Sequence, residues 1–198
     1  MDKAEKHKQK MQKHKESIDK KVAQATEERG VVIVLTGTGK GKSSSGFGTV
    51  IRALGHGYKV GIVQFIKGTW ECGERNFLEN QPNVEYHVMG TGFTWETQDA
   101  DKDQKAAAIA WEKAKQLLQD DSLHLVLLDE LSYAIGYKWL TADEVIAALK
   151  QRPKMQSVII TGRGATRALK DYADTVSEIK AEKHAFQAGV KAQKGIEW

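Results

Sequence analysis

Apolar and polar positions alternate along this chain in blocks rather than residue by residue. Val31-Val32-Ile33-Val34-Leu35 is an unbroken apolar run, residues 59–66, 123–129 and 157–161 are near-continuous versions of it, 84–89 reads as a further strand with Glu85 and His87 between its apolar positions, and 175–179 is a weaker sixth. Such short runs rich in Val, Ile and Leu predict strands buried on both faces, because a half-exposed strand would alternate with period two. Between the runs the period changes. Ala107, Trp111, Ala114 and Leu118 recur at helical spacing, residues 43–55 read as a helix ending at Gly55, and Thr141-Ala142-Asp143-Glu144 is a capping box opening a helix over 145–150. This alternation predicts an α/β fold: a mostly parallel sheet flanked by helices on both faces. Ligands in such sheets bind beyond the carboxyl ends of the strands, so the strand ends carry the functional information.

The first strand runs directly into Thr36-Gly37-Thr38-Gly39-Lys40-Gly41-Lys42-Ser43. A standard phosphate-binding loop, G-x-x-x-x-G-K-[ST], surrounds phosphates with backbone N–H groups, neutralises them with its lysine and holds Mg²⁺ with its hydroxyl. Here the chemistry is present on a contour one residue shorter: counting back from Gly41-Lys42-Ser43, position 36 is Thr and the nearest glycine is Gly37. Strand before and helix after supply the required context, so Gly37, Thr38, Gly39, Lys40, Gly41, Lys42 and Ser43 are the expected ATP-binding residues. The architecture expected is P-loop NTPase-like, of the RecA-like type.

Composition narrows the class. The chain has 198 residues, enough for one domain with a sizeable core, and no apolar run approaches the length of a membrane span. Residues 1–29 hold nine Lys/Arg against six Asp/Glu, so most of the net charge of +4 sits in this arm and the remainder is almost neutral. That division predicts a basic helical arm over 1–29, solvated and partly frayed, and a single α/β domain over 30–198. It argues against a broad nucleic-acid-binding face on the core. The lysine-rich start lacks the apolar segment of a secretory signal, so a cytoplasmic location is expected. Cys72 is the only cysteine, which leaves no internal disulfide and gives Cys72 the expectation of an ordinary loop position.

The other strand ends offer chemistry of varying specificity. Asp129-Glu130 closes the fourth strand as a Walker B element does, so Ser43 with one or both carboxylates is expected to bind Mg²⁺. Capping of the next helix is the competing role for Glu130. Arg163, between Gly162 and Gly164, is either a contact to a departing polyphosphate or a surface-turn arginine. Phe93 and Trp95, two apart in a polar glycine-led loop, suit either a large flat ligand or a plug beneath the loop.

Taken in order, the short P-loop, Val63-Gln64-Phe65-Ile66-Lys67-Gly68-Thr69-Trp70, Gly73-Glu74-Arg75-Asn76, Met89-Gly90-Thr91-Gly92-Phe93-Thr94-Trp95-Glu96-Thr97, Leu128-Asp129-Glu130-Leu131 and Ile160-Thr161-Gly162-Arg163-Gly164 closely resemble the P-loop family of ATP:cob(I)alamin (corrinoid) adenosyltransferases. Lys183-His184-Ala185-Phe186 and Gly189-Val190-Lys191-Ala192-Gln193-Lys194-Gly195-Ile196 extend the match, which covers nearly the whole chain.

The resemblance implies transfer of the 5′-deoxyadenosyl group of ATP to the cobalt of a reduced corrinoid, with release of triphosphate, in adenosylcobalamin biosynthesis and salvage. It implies ATP held in the reverse sense to ordinary P-loop proteins, which suits the short loop. Lys42, Mg²⁺ (or Mn²⁺) and Arg163 would stabilise the leaving triphosphate. Phe93 and Trp95 would exclude the lower axial ligand of the corrinoid and so ease reduction to Co(I). A reduced flavoprotein such as flavodoxin would supply the electron. The family forms homodimers, and its N-terminal helix can cover the active site as a lid. Two departures stand out: Thr38 replaces a common Asn, and Ser43-Ser44 replaces a Thr-Thr pair, which keeps the metal-binding hydroxyl. A conventional P-loop ATPase or kinase is the rival enzyme, and a nucleotide-dependent scaffold acting through the basic arm is the rival outside enzymes.

Overall fold

The computed structural model describes residues 2–66, 71–90 and 100–197. Six parallel strands form one sheet in the order β3-β2-β4-β5-β1-β6. They are β1 Val32–Thr36, β2 Val60–Gln64, β3 Val84–Val88, β4 Leu125–Asp129, β5 Ser157–Thr161 and β6 Thr175–Glu178. The helices are α1 Lys3–Gln24, α2 Lys42–Gly55, α3 Gly73–Leu78, α4 Ala100–Gln119, α5 Leu131–Gly136, α6 Ala142–Gln151 and α7 Arg167–Tyr172.

The strand runs are continuously apolar because both faces are covered. Val32 and Val34 of β1, Val126 and Leu128 of β4, and Val158 and Ile160 of β5 pack with Trp111, Ala114, Leu118, Val145, Leu149 and Leu169 from α4, α6 and α7. Their neighbours Leu35, Leu125, Leu127 and Ile159 face the opposite way, onto Phe47 and Val50 of α2 and Leu78 of α3. Each of these three strands thus serves two cores. The helical stripe read from Ala107, Trp111, Ala114 and Leu118 is the buried face of α4. The capping box is formed: the Glu144 N–H donates to Thr141 Oγ1 at 3.2 Å, and Thr141 N–H donates to the Glu144 carboxylate at 2.8 Å.

Strand ends are where expectation and structure differ. Phe65, Ile66 and Leu123 belong to apolar runs and are buried, yet they lie beyond the ends of β2 and before the start of β4. Burial needs only a place in the core, whereas a strand residue also needs a ladder partner. Cys72 is buried at the N-cap of α3 rather than lying in an ordinary loop, and its Sγ donates to a Glu74 carboxylate oxygen at 3.0 Å.

The basic arm is α1, exposed along its whole length. It joins the sheet through Gly30, which is buried so tightly that a Cβ there would lie 2.1 Å from the Gln156 carbonyl oxygen. Beside this junction Arg29 donates to Asp174 at 2.6 Å, and the second Asp174 oxygen accepts the Val32 N–H at 2.7 Å. The Arg29 guanidinium holds the Asp174 carboxyl down to about 2, against an ordinary value of 3.8. A carboxyl whose native pKa is depressed contributes stability that is complete above its unfolded value and lost as pH falls through the native one. Acid titration followed by circular dichroism is therefore expected to reveal a contribution from this site that fades between about pH 4 and pH 2 and is missing from Asp174→Asn.

Candidate functional site

The carboxyl ends of β1, β4 and β5 surround a cleft of about 570 Å³ lined by Thr38 to Ser44, Glu130, Tyr133, Arg163 and part of the C-terminal segment. Its floor is the P-loop. Gly41 is the N-cap of α2 at φ +111°, a conformation that a residue with a Cβ rarely adopts, and it aims the first turn of the helix at the cleft. Lys42 opens that helix, is only 8% exposed, and donates its Nζ to the Gly39 carbonyl at 2.6 Å. Burial lowers its pKa; Glu130 opposes the shift, while Arg163 and Lys40 add to it. The main cause is desolvation of the ammonium, and an anion entering the cleft would offset it by giving the buried charge a partner. Ser43 and Ser44 follow on the same wall.

The loop glycines divide their work in a way local sequence does not reveal. A Cβ on Gly37 would lie 2.3 Å from the Ile179 carbonyl oxygen, and one on Gly39 would lie 2.6 Å from that of Lys180. The chain leaving β6 crosses directly over the loop, and the Gly39 N–H donates to Ile179 O at 2.7 Å. Gly37 is therefore a packing glycine off the cleft wall, whereas Thr38, Gly39, Lys40, Gly41, Lys42 and Ser43 all line the cleft.

The two carboxylates ending β4 are separated. Asp129 is fully buried; one oxygen accepts from Gln64 Nε2 at 3.0 Å and the other from Thr161 Oγ1 at 2.7 Å. Expected with Glu130 as a metal ligand, Asp129 has both oxygens engaged by these two side chains and does not line the cleft, although its charge acts on Lys42. Glu130 reaches the cleft because its backbone adopts φ +61°, an uncommon conformation for a residue other than glycine, with its N–H donating to Thr161 Oγ1 at 2.9 Å. Although Glu130 occupies the N-cap position of α5, its side chain makes no capping hydrogen bond. Opposite, the turn Gly162-Arg163-Gly164, with both glycines at positive φ, sets Arg163 on the wall. Burial raises the pKa of Tyr133, and Glu130 raises it further.

Phe93 and Trp95 lie outside the described residues, as does Lys67-Gly68-Thr69-Trp70. Residues that reading by periodicity did not assign a role complete the wall: Gly73, Glu74, Tyr133, His184, Gly195, Ile196 and Glu197. Glu197 pairs with Lys40 across the mouth. Several belong to motifs that carried the resemblance, and that was their only signal. Among the described residues no group of three or more His, Cys, Asp or Glu side chains gathers to hold a metal. Ser43 and Glu130 instead offer two oxygen donors beside Lys42 and Arg163 in the cleft, which fits a Mg²⁺ ion bound mainly through substrate phosphates.

Comparison with known proteins agrees with this geometry. Among solved structures, the flagellar accessory protein FlaH from Methanocaldococcus jannaschii matches with a TM-score of 0.52 over 76% of this chain and 71% of its own, at 14% sequence identity, a likeness of fold alone. The family profile described as ATP:corrinoid adenosyltransferase BtuR/CobO/CobP matches residues 28–198. The corrinoid adenosyltransferase of Escherichia coli K12 is 56% identical over 98% of each chain, and that of Pseudomonas aeruginosa is 53% identical over 100% of this chain and 98% of its own. Corrinoid adenosyltransferase CobA of Salmonella typhimurium is 56% identical over 98% of both chains. With the short P-loop, the Glu130 wall and the Arg163 turn carried by the same span that the profile covers, this chain belongs to the ATP:corrinoid adenosyltransferase family.

Proposed function

We propose that this chain joins the 5′ carbon of ATP to the cobalt of a reduced corrinoid in this cleft, in adenosylcobalamin biosynthesis and salvage, with the roles of its residues as follows. The Co(I) electron pair forms the cobalt–carbon bond, and the electron pair of the C5′–O bond leaves on inorganic triphosphate. Co(I) is itself a strong nucleophile, so the protein's task is to place the two reactants and stabilise the departing charge. One observation carries the reading: Lys40, Lys42 and Arg163 converge on a single cleft with Ser43 and Glu130.

Lys42 and Arg163 neutralise the triphosphate oxygens, aided by loop N–H groups at the start of α2. Ser43 and Glu130 would hold Mg²⁺, or Mn²⁺ in its place, and the ion when bound adds positive charge beside the leaving group. Asp129 acts one step back: it engages Thr161, whose oxygen also receives the Glu130 N–H and so fixes the turn that presents Glu130. Phe93 and Trp95, by the family resemblance, fill the space beneath the corrin ring and exclude its lower axial ligand. The arm 1–29 serves as a lid. A reduced flavoprotein such as flavodoxin delivers the electron to Co(II), and the chain works as a homodimer in the cytoplasm; no helix among the described residues is long and apolar enough to cross a membrane.

The test is the product pair. Incubation with ATP, Mg²⁺ and chemically reduced cobalamin is expected to yield adenosylcobalamin and triphosphate in equal amounts. ADP without a cobalt–carbon product would instead favour an ordinary P-loop ATPase or kinase.

A further inference from the structure

The C-terminal segment has no part in the reaction as described, yet it builds one side of the cleft. After β6 the Ala181 N–H donates to Thr38 Oγ1 at 3.4 Å, and the chain turns through the 3₁₀ helix Ala185–Ala188 before returning with Gly195, Ile196 and Glu197 at the cleft. Two ion pairs hold the returning stretch. Lys194 meets Glu71, just ahead of α3, at 2.9 Å, and Glu197 meets Lys40 of the P-loop.

The second pair is the informative one. Lys40 and Lys42 are two residues apart on the loop, but they are satisfied differently: Lys42 donates to the loop's own Gly39 carbonyl, whereas Lys40 is paired with a carboxylate from far along the chain. A carboxylate on a P-loop lysine takes the electrostatic place of a phosphate group. Phosphate and carboxylate cannot both hold Lys40 at full strength, because two anions sharing one positive charge repel each other.

We propose that Glu197 is an internal counter-ion of the triphosphate site, competing with the polyphosphate for Lys40, so that the C-terminal segment lets go of the P-loop when ATP enters and reclaims it as triphosphate leaves. The inference rests on the nucleotide reading of the cleft. Its chemical purpose follows from the leaving group: an intact triphosphate is held at once by Lys42, Arg163 and the loop N–H groups, and a resident carboxylate offers Lys40 a partner on departure. The side chains of Lys40 and Glu197 are 48% and 24% exposed, so their pair is of the modest, screened kind, and its removal should alter affinity by a small factor.

The experiment is calorimetric titration of the intact chain with inorganic triphosphate and, separately, with Mg²⁺-ATP, without corrinoid. Glu197→Gln is expected to bind triphosphate about two- to fivefold more tightly than the parent with slower dissociation, and Glu197→Asp, which keeps the charge, to stay near the parent. Unchanged or weaker binding by Glu197→Gln, or equal tightening in Glu197→Asp, overturns the counter-ion role while leaving the nucleotide site intact. A parent chain that binds neither ligand removes the nucleotide reading and this inference with it.

Discussion

Lys42→Ala is expected to lower kcat/KM for adenosylation by about 10²- to 10³-fold, the usual cost of removing one preorganised group that stabilises charge developing on a leaving atom. The side chain is buried at the start of α2, donates to the Gly39 carbonyl and is further stabilised by the charge of Glu130. Burial already lowers its pKa, so the ammonium gains more from a bound triphosphate than a solvated one would. Most of the loss should therefore appear in kcat, since charge on the triphosphate grows as the C5′–O bond breaks. Folding should suffer little: one hydrogen bond to Gly39 is worth about 1 kcal/mol. Thermal unfolding and single-turnover kinetics on the same preparation separate the two effects, and a loss confined to KM would show that Lys42 binds ATP without favouring the transition state.

The second large effect divides the two carboxylates at the end of β4. Glu130→Gln is expected to reduce activity about 100-fold and to raise the Mg²⁺ concentration needed for half-maximal rate, while unfolding behaviour stays close to the parent. Asp129→Asn should chiefly cost stability, with a smaller loss of activity through the turn that Thr161 holds for Glu130. Asp129 is fully buried and accepts from both Gln64 and Thr161, so an amide NH₂ in its place faces a donor and costs about 1–3 kcal/mol of stability. Metal titrations of activity alongside thermal denaturation distinguish these outcomes. Equal metal dependence in the two variants would contradict the division of roles.

The fold was legible because most strands are buried on two sides. β1, β4 and β5 serve two cores each, which keeps their central positions apolar and makes the element type plain. β6 is the instructive exception: all four residues are exposed at the sheet edge, so only weak β-branched character marked it. The site was legible where chemistry and conformation coincide in a few adjacent residues, as at Gly41-Lys42-Ser43 and Gly162-Arg163-Gly164. It was opaque where a distant segment decides. Gly37 and Gly39 read as phosphate-cradling glycines, but contact with Ile179 and Lys180, about 140 residues away, requires their small size. Asp129 and Glu130 read as equivalent because adjacency on a chain does not tell which carboxylate turns inward. Glu197 carried no periodic signal, since residues 185–195 are exposed without a buried face.

The short loop remains the central clue to which bond of ATP is broken. ATP carrying oxygen-18 at the bridge between the 5′ carbon and the α-phosphorus tests that most directly, with chemically reduced cobalamin as acceptor. Attack at the 5′ carbon predicts that all of the label leaves in inorganic triphosphate and that the adenosyl group on cobalt carries none. Label retained on the nucleoside, in ADP or in AMP, would contradict the account, because it would place the broken bond at phosphorus.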